Sequence, residues 1–357
     1  MNPMNPMNPM NPSNPVIRPA TEADAASWDA FVMNDPRGTF FHLTGWKHVV
    51  EKSFGHTSHY LLAVEEETNQ VKGLLPLFSV KSFLFGKSMV SSPFATYGGI
   101  LGDEAAKSAL YTEAVRLTRD LGLDYLEIRS EDALLDGLPQ KDLYYVFKKE
   151  ISADHDENLK AIPRKSRRMV RKGMKNDLQA DFGGAELLDR FYDLFAFNYH
   201  RLGTPVFSKK YLANLLEEFG EKASLLLISK DGKPLSGVLS FYFKDQVIPY
   251  YSGAVPEANK QAANDFLYWA LMSDSAEKGY RIFDFGRSKK DTGPYHFKRH
   301  WGFEPVLLPY QYFLNKLDEI PNVSPANPKY QKRVEMWKKL PLWVTKIIGP
   351  HIVKYIP

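Results

Sequence analysis

The sequence predicts an α/β (α+β) fold in two lobes, each a mixed central sheet flanked by helices. The chain of 357 residues is longer than a single hydrophobic core usually organises. Short runs rich in β-branched and aromatic residues alternate with amphipathic helical patterns. This alternation occurs twice, on either side of a strongly basic segment. We therefore divide the chain into a tail (1–15), a first lobe (16–152), a second lobe (153–320) and a C-terminal extension (321–357).

The composition narrows the classes of protein and site to consider. The formal net charge of +4 indicates no particular partner by itself, and no DNA contact is expected. The absence of cysteine excludes disulfides, thiolate metal sites and a cysteine nucleophile. The sequence shows no Ser-His-Asp order, phosphate-binding loop or metal-ligand cluster, so we expect neither a hydrolase, a kinase nor a metal site. Without an apolar run of about 20 residues or a signal peptide, the expected location is the cytoplasm.

The N-terminal tail is a repeated MNP triplet that ends near Pro15. Proline at every third position is incompatible with a helix, and the segment offers almost nothing to bury. We predict that this tail is disordered or extended.

The first lobe is predicted from helices at 21–33, 45–54 and 104–121 and from strands at 60–64, 72–80, 88–92, 125–128 and 144–151. The last of these strands is expected to close the lobe. The loop 91–99 has exposed amides and hydroxyls: it either holds an anionic or sugar group or is a tight structural loop. Glu127 and Arg129 alternate with apolar neighbours, which predicts a paired, half-buried position.

A basic segment joins the lobes. A single helix is predicted at 159–176, where Arg164, Arg168 and Lys172 stack at four-residue spacing beside Arg171. So many cations on one short helix repel one another, which favours an anionic partner such as a phosphate-bearing ligand or an anionic membrane. The alternative is a solvated helix whose charges are balanced by nearby Asp and Glu.

The second lobe repeats the plan, with helices predicted at 185–202, 209–219 and 259–278 and strands at 179–182, 224–229, 235–243, 247–254 and 282–285. Asp231-Gly232 and Asp245-Gln246 predict hairpin turns between the central strands. Pro249 and Gly253 in the third central strand predict an edge, a bulge or a splayed strand.

The strongest candidate site lies at 280–305, in YRIFDFGRSKKDTGPYHFKRHWGFEP. A short apolar strand containing Asp284 ends near Arg287, and a helix that carries Tyr295 and Lys298 follows. Polar groups at the carboxyl end of a strand, followed by such a helix, are typical of a site in an open α/β sheet. The alternative is that Asp284 pairs with Arg287 and that Lys298 is a solvated surface lysine.

Three segments of this stretch, FDFGRS (283–288), TGPYHFK (292–298) and WGFEP (301–305), resemble the C-terminal signature of FemAB-related proteins, which are two-lobed relatives of the GNAT acyltransferases. The segment NYHRLGTP (198–205) matches the same pattern. The resemblance runs from about Val16 to the C-terminus and is closest to the branch associated with exosortase (PEP-CTERM) systems. It implies two GNAT-like lobes with the active site in the second.

The resemblance implies transfer of an acyl or aminoacyl group to an amine of a cell-envelope or exopolysaccharide-related precursor. The donor substrate would be acyl-CoA or aminoacyl-tRNA, and no permanently bound cofactor is implied. The implied catalytic residues are Lys298, Tyr295, Asp284, Arg287 and Tyr251. The implied donor-binding residues are Arg164, Arg168, Arg171, Tyr250 and Asn264, and the implied acceptor-binding residues are Tyr97, Arg201 and Thr204.

Two features of the sequence bear on the donor: missing glycines, which weaken the case for ordinary coenzyme A binding and are expected of Fem-type transferases, and a missing coiled-coil arm. Acetyl-CoA enzymes usually mark the turn after the splayed strand with a glycine-rich loop that receives a pyrophosphate, but the turn at 255–264 lacks those glycines. No long heptad stretch interrupts the second lobe, so the coiled-coil arm of some Fem proteins is absent and contact with a tRNA body is unsupported. The alternatives are an acetyl-CoA-dependent N-acetyltransferase and a non-catalytic envelope-assembly binding module.

The C-terminal extension combines two tryptophans, branched aliphatic residues and interspersed lysines between Met336 and Ile356. This pattern is typical of an interfacial segment, which would make the protein peripheral to the inner membrane. Pro341 and Pro350 divide it into short pieces. They favour the alternative of a strap packed across the two lobes.

Overall fold

The computed structural model describes residues 15–82, 85–132, 137–321 and 328–356. The tail that the sequence predicts to be disordered lies, apart from Pro15, outside the described residues. The helices are α1 (Ala25–Asn34), α2 (Thr44–Phe54), α3 (Glu104–Asp120), α4 (His155–Ala161), α5 (Arg164–Met174), α6 (Leu188–Leu202), α7 (Lys209–Phe219), α8 (Glu257–Gln261), α9 (Ala263–Glu277), α10 (Gly293–His300), α11 (Pro328–Lys339) and α12 (Leu342–Val353). The strands are β1 (Val16–Pro19), β2 (Thr57–Ser58), β3 (Leu61–Val64), β4 (Val71–Leu75), β5 (Leu77–Ser82), β6 (Gly86–Ser91), β7 (Leu101–Gly102), β8 (Tyr125–Ile128), β9 (Gln140–Lys141), β10 (Tyr144–Glu150), β11 (Gln179–Gly183), β12 (Ala223–Lys230), β13 (Lys233–Phe243), β14 (Gln246–Ala254), β15 (Ile282–Lys289), β16 (Val306–Leu307) and β17 (Tyr310–Leu314).

These strands form three sheets. The first lobe contains a four-stranded sheet, β1-β3-β4-β7, and a six-stranded sheet, β2-β5-β6-β8-β17-β9. The second lobe contains a seven-stranded sheet, β11-β12-β13-β14-β15-β10-β16. The strand predicted at 72–80 is divided at Pro76, which has no N–H to donate to a ladder. Its two halves, β4 and β5, consequently pair in different sheets.

Two strands are exchanged between the lobes. β10, expected to close the first lobe, lies instead antiparallel to β15, with Tyr145 opposite Ser288. Conversely, β17 lies antiparallel to β8 in the first lobe, with Gln311 opposite Ile128. The placement of β10 corrects the sequence prediction, because an apolar strand pattern specifies burial but does not specify the partner strand.

The lobes share a continuous hydrophobic core. Phe40, which precedes α2, stacks on Phe241 of β13 with 4.3 Å between ring centroids, and Phe219 of α7 lies 4.3 Å from Phe40. Phe41 approaches Tyr250 of β14 at 5.0 Å. Because these buried rings belong to both lobes, the contacts that form the core also fix the two lobes against each other. The predicted fold class, mixed sheets flanked by helices in two lobes, is confirmed.

Two of the predicted helices are divided. Pro163 separates α4 from α5 within the segment predicted as one helix, because proline lacks the N–H that a continuing helix needs. The helix predicted at 259–278 is divided at Ala262, whose φ of +57° is left-handed, so that α8 and α9 meet at an angle there.

The described part of the C-terminal extension packs as a strap. α12 lies on α6, and Gly349 comes so close to Val206 that a Cβ would lie 2.9 Å from the Val206 backbone. Nε2 of His56 in the first lobe hydrogen-bonds with the carbonyl oxygen of Lys354 at 2.7 Å. The extension therefore contacts both lobes, as the strap alternative expects. Across the described residues, no helix combines the length and the apolar character needed to cross a membrane.

Candidate active site

Strands β14 and β15 separate part-way along their length. Their parallel pairing ends at Val247 and Phe283, after which β15 remains paired with β10 on its other side. A gap therefore opens within the seven-stranded sheet, and the backbone groups of β14 that face this gap have no partner from β15. The splayed strand that Pro249 and Gly253 predict is present.

A β-bulge changes the direction of two tyrosines in β14. Tyr251 pairs with Leu239 and Pro249 pairs with Ser240, so Tyr250 is the extra residue of the bulge. In a regular strand the side chains of Tyr250 and Tyr251 would lie on opposite faces. The bulge instead allows both to line the same cavity.

Two cavities open at the gap. Cavity A has a volume of about 490 Å³, lies between β14, α9 and α10, and includes Asn264 and Lys298 in its wall. Cavity B has a volume of about 230 Å³ and lies between β14, β15 and the loop 91–99, with Arg287 in its wall. Phe285 of β15 borders both cavities, so the gap between the strands is also the boundary between A and B.

Lys298 borders cavity A, but its ammonium is directed at the end of β15. Nζ donates to the carbonyl oxygens of Phe285 at 2.6 Å, Gly286 at 3.1 Å and Arg287 at 3.2 Å. Burial lowers the pKa of Lys298 to about 7, which the carboxylate of Asp284 opposes in part. The protonated form of Lys298 has one N–H group for each of the three acceptors, and the neutral amine that forms above about pH 7 has two. Lys298 is therefore a clamp on the β15 backbone and not a solvated surface residue.

Asp284 is fully buried in an ion cluster that spans both lobes. Its Oδ2 accepts a hydrogen bond from the Tyr97 hydroxyl at 3.0 Å and lies 3.7 Å from Nζ of Lys148, while its Oδ1 accepts from the N–H of Gly286 at 2.7 Å. Lys148 also pairs with Glu131. Burial acts to lower the pKa of Lys148, but the two carboxylates outweigh it and the pKa is raised. Through its hydrogen bond with the N–H of Gly286, Asp284 fixes the backbone just after Phe285 in β15. Asp284 borders neither cavity.

Arg287 borders cavity B and does not pair with Asp284. Its Nη1 donates to the hydroxyl of Tyr310 at 2.7 Å, and the guanidinium lies over the ring of Tyr144, 4.8 Å from the centroid. Burial acts to lower the pKa of Arg287, but the phenols of Tyr310 and Tyr144 raise it by more. The side chain is therefore a permanent cation at the edge of an aromatic cavity.

Other predicted residues are distributed over the two cavities. Asn264, expected at the donor, borders cavity A together with Arg201, which was expected at the acceptor. Tyr250, expected at the donor, borders cavity B together with Tyr251. Asn264 and Tyr250, both expected at the donor, therefore border different cavities, because the bulge allows Tyr250 to line cavity B.

Besides Asp284 and the arginines of α5, three further predicted residues border neither cavity. Tyr295 is buried edge-to-face against Phe147 at 5.4 Å and Tyr145 at 5.6 Å, so it belongs to the core. Thr204 follows the end of α6 and is outside both cavity walls. Tyr97 lies in the ion cluster and borders a small cavity of the first lobe beside Arg129, which forms the predicted pair with Glu127 at 2.7 Å.

Arg164, Arg168 and Arg171 lie exposed on α5, outside the wall of cavity A. Within the described residues no carboxylate lies within the 4.0 Å of an ion pair with any of these three guanidiniums. α5 packs on α9, and Nζ of Lys172 donates to the carbonyl oxygen of Lys260 at 2.9 Å. Lys172 therefore lies beside the turn between α8 and α9, whereas Arg164, Arg168 and Arg171 lie on the solvent-exposed side of α5. Within the described residues these arginines lack the acidic partners that the solvated alternative requires.

Sequence reasoning missed Lys148, Glu131 and Tyr310. Lys148 lies on β10 and Tyr310 on β17, the two exchanged strands. No local signal identifies them, because their roles depend on which strands pair across the lobes.

Part of the chain matches a known family model. Residues 159–299, which include α5, the gap and α10, match the family model described as an acetyltransferase (GNAT) domain. No curated protein matches the chain at a significant level.

Several solved structures share the fold. The crystal structure of FemX is 16% identical, with a TM-score of 0.66 over 89% of this chain and 100% of its own. The C-terminal domain of a putative lysylphosphatidylglycerol synthetase from Agrobacterium fabrum is 13% identical, with a TM-score of 0.54 over 83% of this chain and 92% of its own. A conserved protein of unknown function from Bacteroides thetaiotaomicron is 13% identical, with a TM-score of 0.54 over 84% and 100%.

Proposed function

We propose that this protein transfers an acyl or aminoacyl group from a donor in cavity A to an amine in cavity B. The observation that carries the proposal is the gap beyond Val247 and Phe283, with a cavity on each side and Phe285 between them. The similarity of residues 159–299 to an acetyltransferase (GNAT) domain supports an acyltransferase, as does the fold shared with FemX.

The gap supplies backbone donors where charge develops during acyl transfer. The N–H of Val255 donates to the carbonyl oxygen of Leu235 on the β13 side at 3.0 Å. Because N–H directions alternate along a strand, those of Ser252 and Ala254 face the gap, and both residues border cavity A. We assign these two amides to the oxyanion of the tetrahedral intermediate.

The chemistry then balances without a further reactant. The amine nitrogen bonds to the acyl carbon, and the bond from that carbon to the thiol sulfur or ribose oxygen of the donor breaks. The leaving thiolate or alkoxide takes up the proton that the amine loses. In this scheme Lys298 is a positioning residue, because its three hydrogen bonds hold the β15 carbonyls on the far side of the gap.

The donor is acyl-CoA or aminoacyl-tRNA. The first turn of α9 borders cavity A at Asn264, and a helix N-terminus favours phosphate oxygens. The exposed arginines of α5, which have no acidic partner among the described residues, lie outside the cavity on a helix that packs against α9. A polyanionic donor larger than cavity A would reach them, which favours aminoacyl-tRNA over acyl-CoA.

The acceptor is an amine on a cell-envelope or exopolysaccharide-related precursor, as the resemblance to the exosortase-associated branch implies. Ile356 of the strap borders cavity B, and α12 exposes 66% of Trp343 and 59% of Ile347 to solvent. Lys339 and Lys346 lie on the same segment. An apolar face with neighbouring lysines suits an anionic membrane surface, so the strap would bring cavity B to a membrane-bound precursor.

A donor panel tests the function. The protein is incubated with acetyl-CoA, longer acyl-CoAs or mixed aminoacyl-tRNAs together with an envelope extract, and acylated amines are identified by mass spectrometry. We expect transfer from one donor class, and we expect Phe285→Trp to retain donor binding but lose transfer because the larger ring fills the gap. Donor binding without turnover across all amines would contradict the proposal and leave a binding module.

A further inference from the structure

Cavity B contains a cation without an acidic partner. Among the described residues, the carboxylates near Arg287 are already engaged, Glu127 by Arg129 and Asp284 by Lys148. The side-chain hydrogen bond that Arg287 makes is with the neutral phenol of Tyr310. A guanidinium has five N–H donors, and the hydrogen bond to Tyr310 uses one of them. The other donors do not pair with carboxylates of the described residues.

The surroundings of Arg287 add positive rather than negative charge. Burial, together with the charges of Arg287 and Lys141, lowers the pKa of the neighbouring Lys289 to about 8. The half-buried guanidinium of Arg287 is supported by the rings of Tyr144 and Tyr310 and by the Tyr310 hydroxyl, but it has no acidic partner among the described residues. Arg287 nevertheless occupies this position, which favours the binding of an anion from outside the protein.

The rest of cavity B is largely aromatic, and two of its three tyrosine hydroxyls, those of Tyr250 and Tyr251, are already hydrogen-bonded. The hydroxyl of Tyr250 donates to the carbonyl oxygen of Phe94 at 2.5 Å, and that of Tyr251 hydrogen-bonds with Tyr211 at 3.0 Å. These side chains therefore present their rings to the cavity rather than free hydroxyls. Arg287 is the charged side chain in a wall whose other side chains are apolar, aromatic or hydroxyl-bearing.

The Tyr310 hydroxyl holds Arg287 in place. It accepts from Nη1 of Arg287 and donates to the carbonyl oxygen of Thr96 at 2.6 Å, which ties the guanidinium to the loop 91–99. The ring of Tyr144 supports the guanidinium plane from one side. A planar, pre-positioned guanidinium suits bidentate binding of a carboxylate or phosphate.

We propose that cavity B selects amines that also carry an anionic group, a carboxylate or a phosphate, and that Arg287 binds that group. At about 230 Å³ the cavity is smaller than the 300–1,000 Å³ of sites for drug-sized ligands. It accordingly holds the amine-bearing end of the acceptor with its anion, and the remainder extends outside. This inference rests on the proposed function, because it takes cavity B as the acceptor site.

The test measures binding without catalysis, so that it is separable from a failure of transfer. Glycine, phosphoethanolamine and ethanolamine are titrated into the protein and followed by ligand-observed NMR. We expect glycine, phosphoethanolamine or both to bind at least about tenfold more tightly than ethanolamine, on the scale of a charge-assisted pair. Comparing the affinities of glycine and phosphoethanolamine shows whether the anionic group that Arg287 binds is a carboxylate or a phosphate. Equal affinity for all three amines overturns the proposal even if acyl transfer occurs.

Variants locate the selectivity. Arg287→Gln should abolish the preference for the anionic amine, and Arg287→Lys should retain part of it. Lys290→Gln removes an exposed charge from the same stretch outside cavity B and should change nothing. If Arg287→Gln does not fold, Tyr310→Phe, which removes the hydroxyl that holds Arg287, should reduce the preference in a folded protein. A preference that survives in both Arg287→Gln and Tyr310→Phe overturns the assignment to Arg287.

Discussion

The ammonium of Lys298 lies 2.6 Å from the carbonyl oxygen of Phe285, the residue that separates the two cavities. The same ammonium reaches the carbonyls of the next two residues. Lys298 therefore sets the position of the backbone on which both Phe285 and Arg287 are mounted.

Replacing Lys298 with methionine should reduce both stability and transfer. The variant leaves three carbonyl oxygens without their donor, and a buried unsatisfied polar group costs about 1–3 kcal/mol. Since cavity A admits water to part of the site, we expect a net loss of about 2–3 kcal/mol in the free energy of unfolding, with transfer activity lost. Denaturant titration and a transfer assay measure the two effects, with the exposed Lys290→Met as control. Full activity in a folded Lys298→Met protein would remove the clamp from the mechanism.

The stability of the protein should rise with pH above neutrality because of Lys298. Its folded pKa is lowered to about 7, below the value near 10.4 of an unfolded lysine. Between these values the unfolded chain binds more protons than the folded one, so the free energy of unfolding increases with pH, by up to about 1.4 kcal/mol per unit. Urea titrations at pH 7, 8 and 9 should show a steeper rise of the free energy of unfolding with pH in the wild type than in Lys298→Met, in which the contribution of Lys289 remains. If the free energy of unfolding depends on pH in the same way in the two proteins, Lys298 is not the titrating group.

Charge reversal on α5 should weaken donor binding. Arg164→Glu combined with Arg168→Glu changes two exposed cations that have no ion-pair partner in the described part of the chain. We expect a loss of about 2–4 kcal/mol in the binding free energy of a polyanionic donor, smaller at high salt. Lys210→Glu with Lys222→Glu makes the same change of charge on exposed residues elsewhere and should have little effect. Salt-dependent filter binding with aminoacyl-tRNA measures the difference. Equal affinities for the two double variants would make α5 ordinary surface.

The turn between α8 and α9 should tolerate glycine at Ala262. A left-handed alanine costs about 1–2 kcal/mol, which offsets the loss of a buried methyl group, about 0.8 kcal/mol, and the backbone freedom of glycine. Ala262→Gly should therefore be near neutral. Ala258→Gly, in the buried interior of α8, lacks that relief and should cost about 2 kcal/mol. Thermal unfolding compares the two, and equal destabilisation would show that the alanine is unstrained.

The strap should contribute to membrane binding and to thermal stability through different residues. Trp343→Glu with Ile347→Glu alters exposed residues, so it should abolish sedimentation with phosphatidylglycerol vesicles and leave the melting temperature unchanged. Truncation before Pro328 should lower the melting temperature, because it uncovers α6 and Val206. Met33→Glu, an exposed apolar residue on α1, is the control. If the double variant still binds vesicles, the exposed residues of α12 do not bind the membrane, and the strap only stabilises the fold.

Local periodicity was sufficient to predict most secondary structure. α7 begins and ends at the residues that the apolar spacing indicates, Lys209 and Phe219, and the bulge in β14 follows from Pro249 in an otherwise regular strand. The proline at 163 was visible in the sequence too, and it outweighs the continuous basic pattern around it. These features depend on neighbours within a few positions, which the sequence displays directly.

The candidate site was predictable only in part, because its partners come from distant strands. Arg287 and Lys298 lie in one short stretch and were found together. The direction of Tyr250 depends on a register shift, and the partner of Asp284 is Lys148 on an exchanged strand. A period-2 pattern does not identify which strand will lie alongside, so such contacts require the full topology.

The exchange of β10 and β17 also governs the order in which the chain can acquire its structure during synthesis. The six-stranded sheet has an open edge at β8 until residues 310–314 have left the ribosome, more than one hundred and fifty residues after β10. β10 in turn has no sheet to join until β15 appears. Neither half can mature on its own, and unpaired edges are templates for aggregation. The nascent chain therefore exposes unpaired strand edges until synthesis has passed residue 314, and the two halves are completed within a short stretch of chain, by β15 and β17.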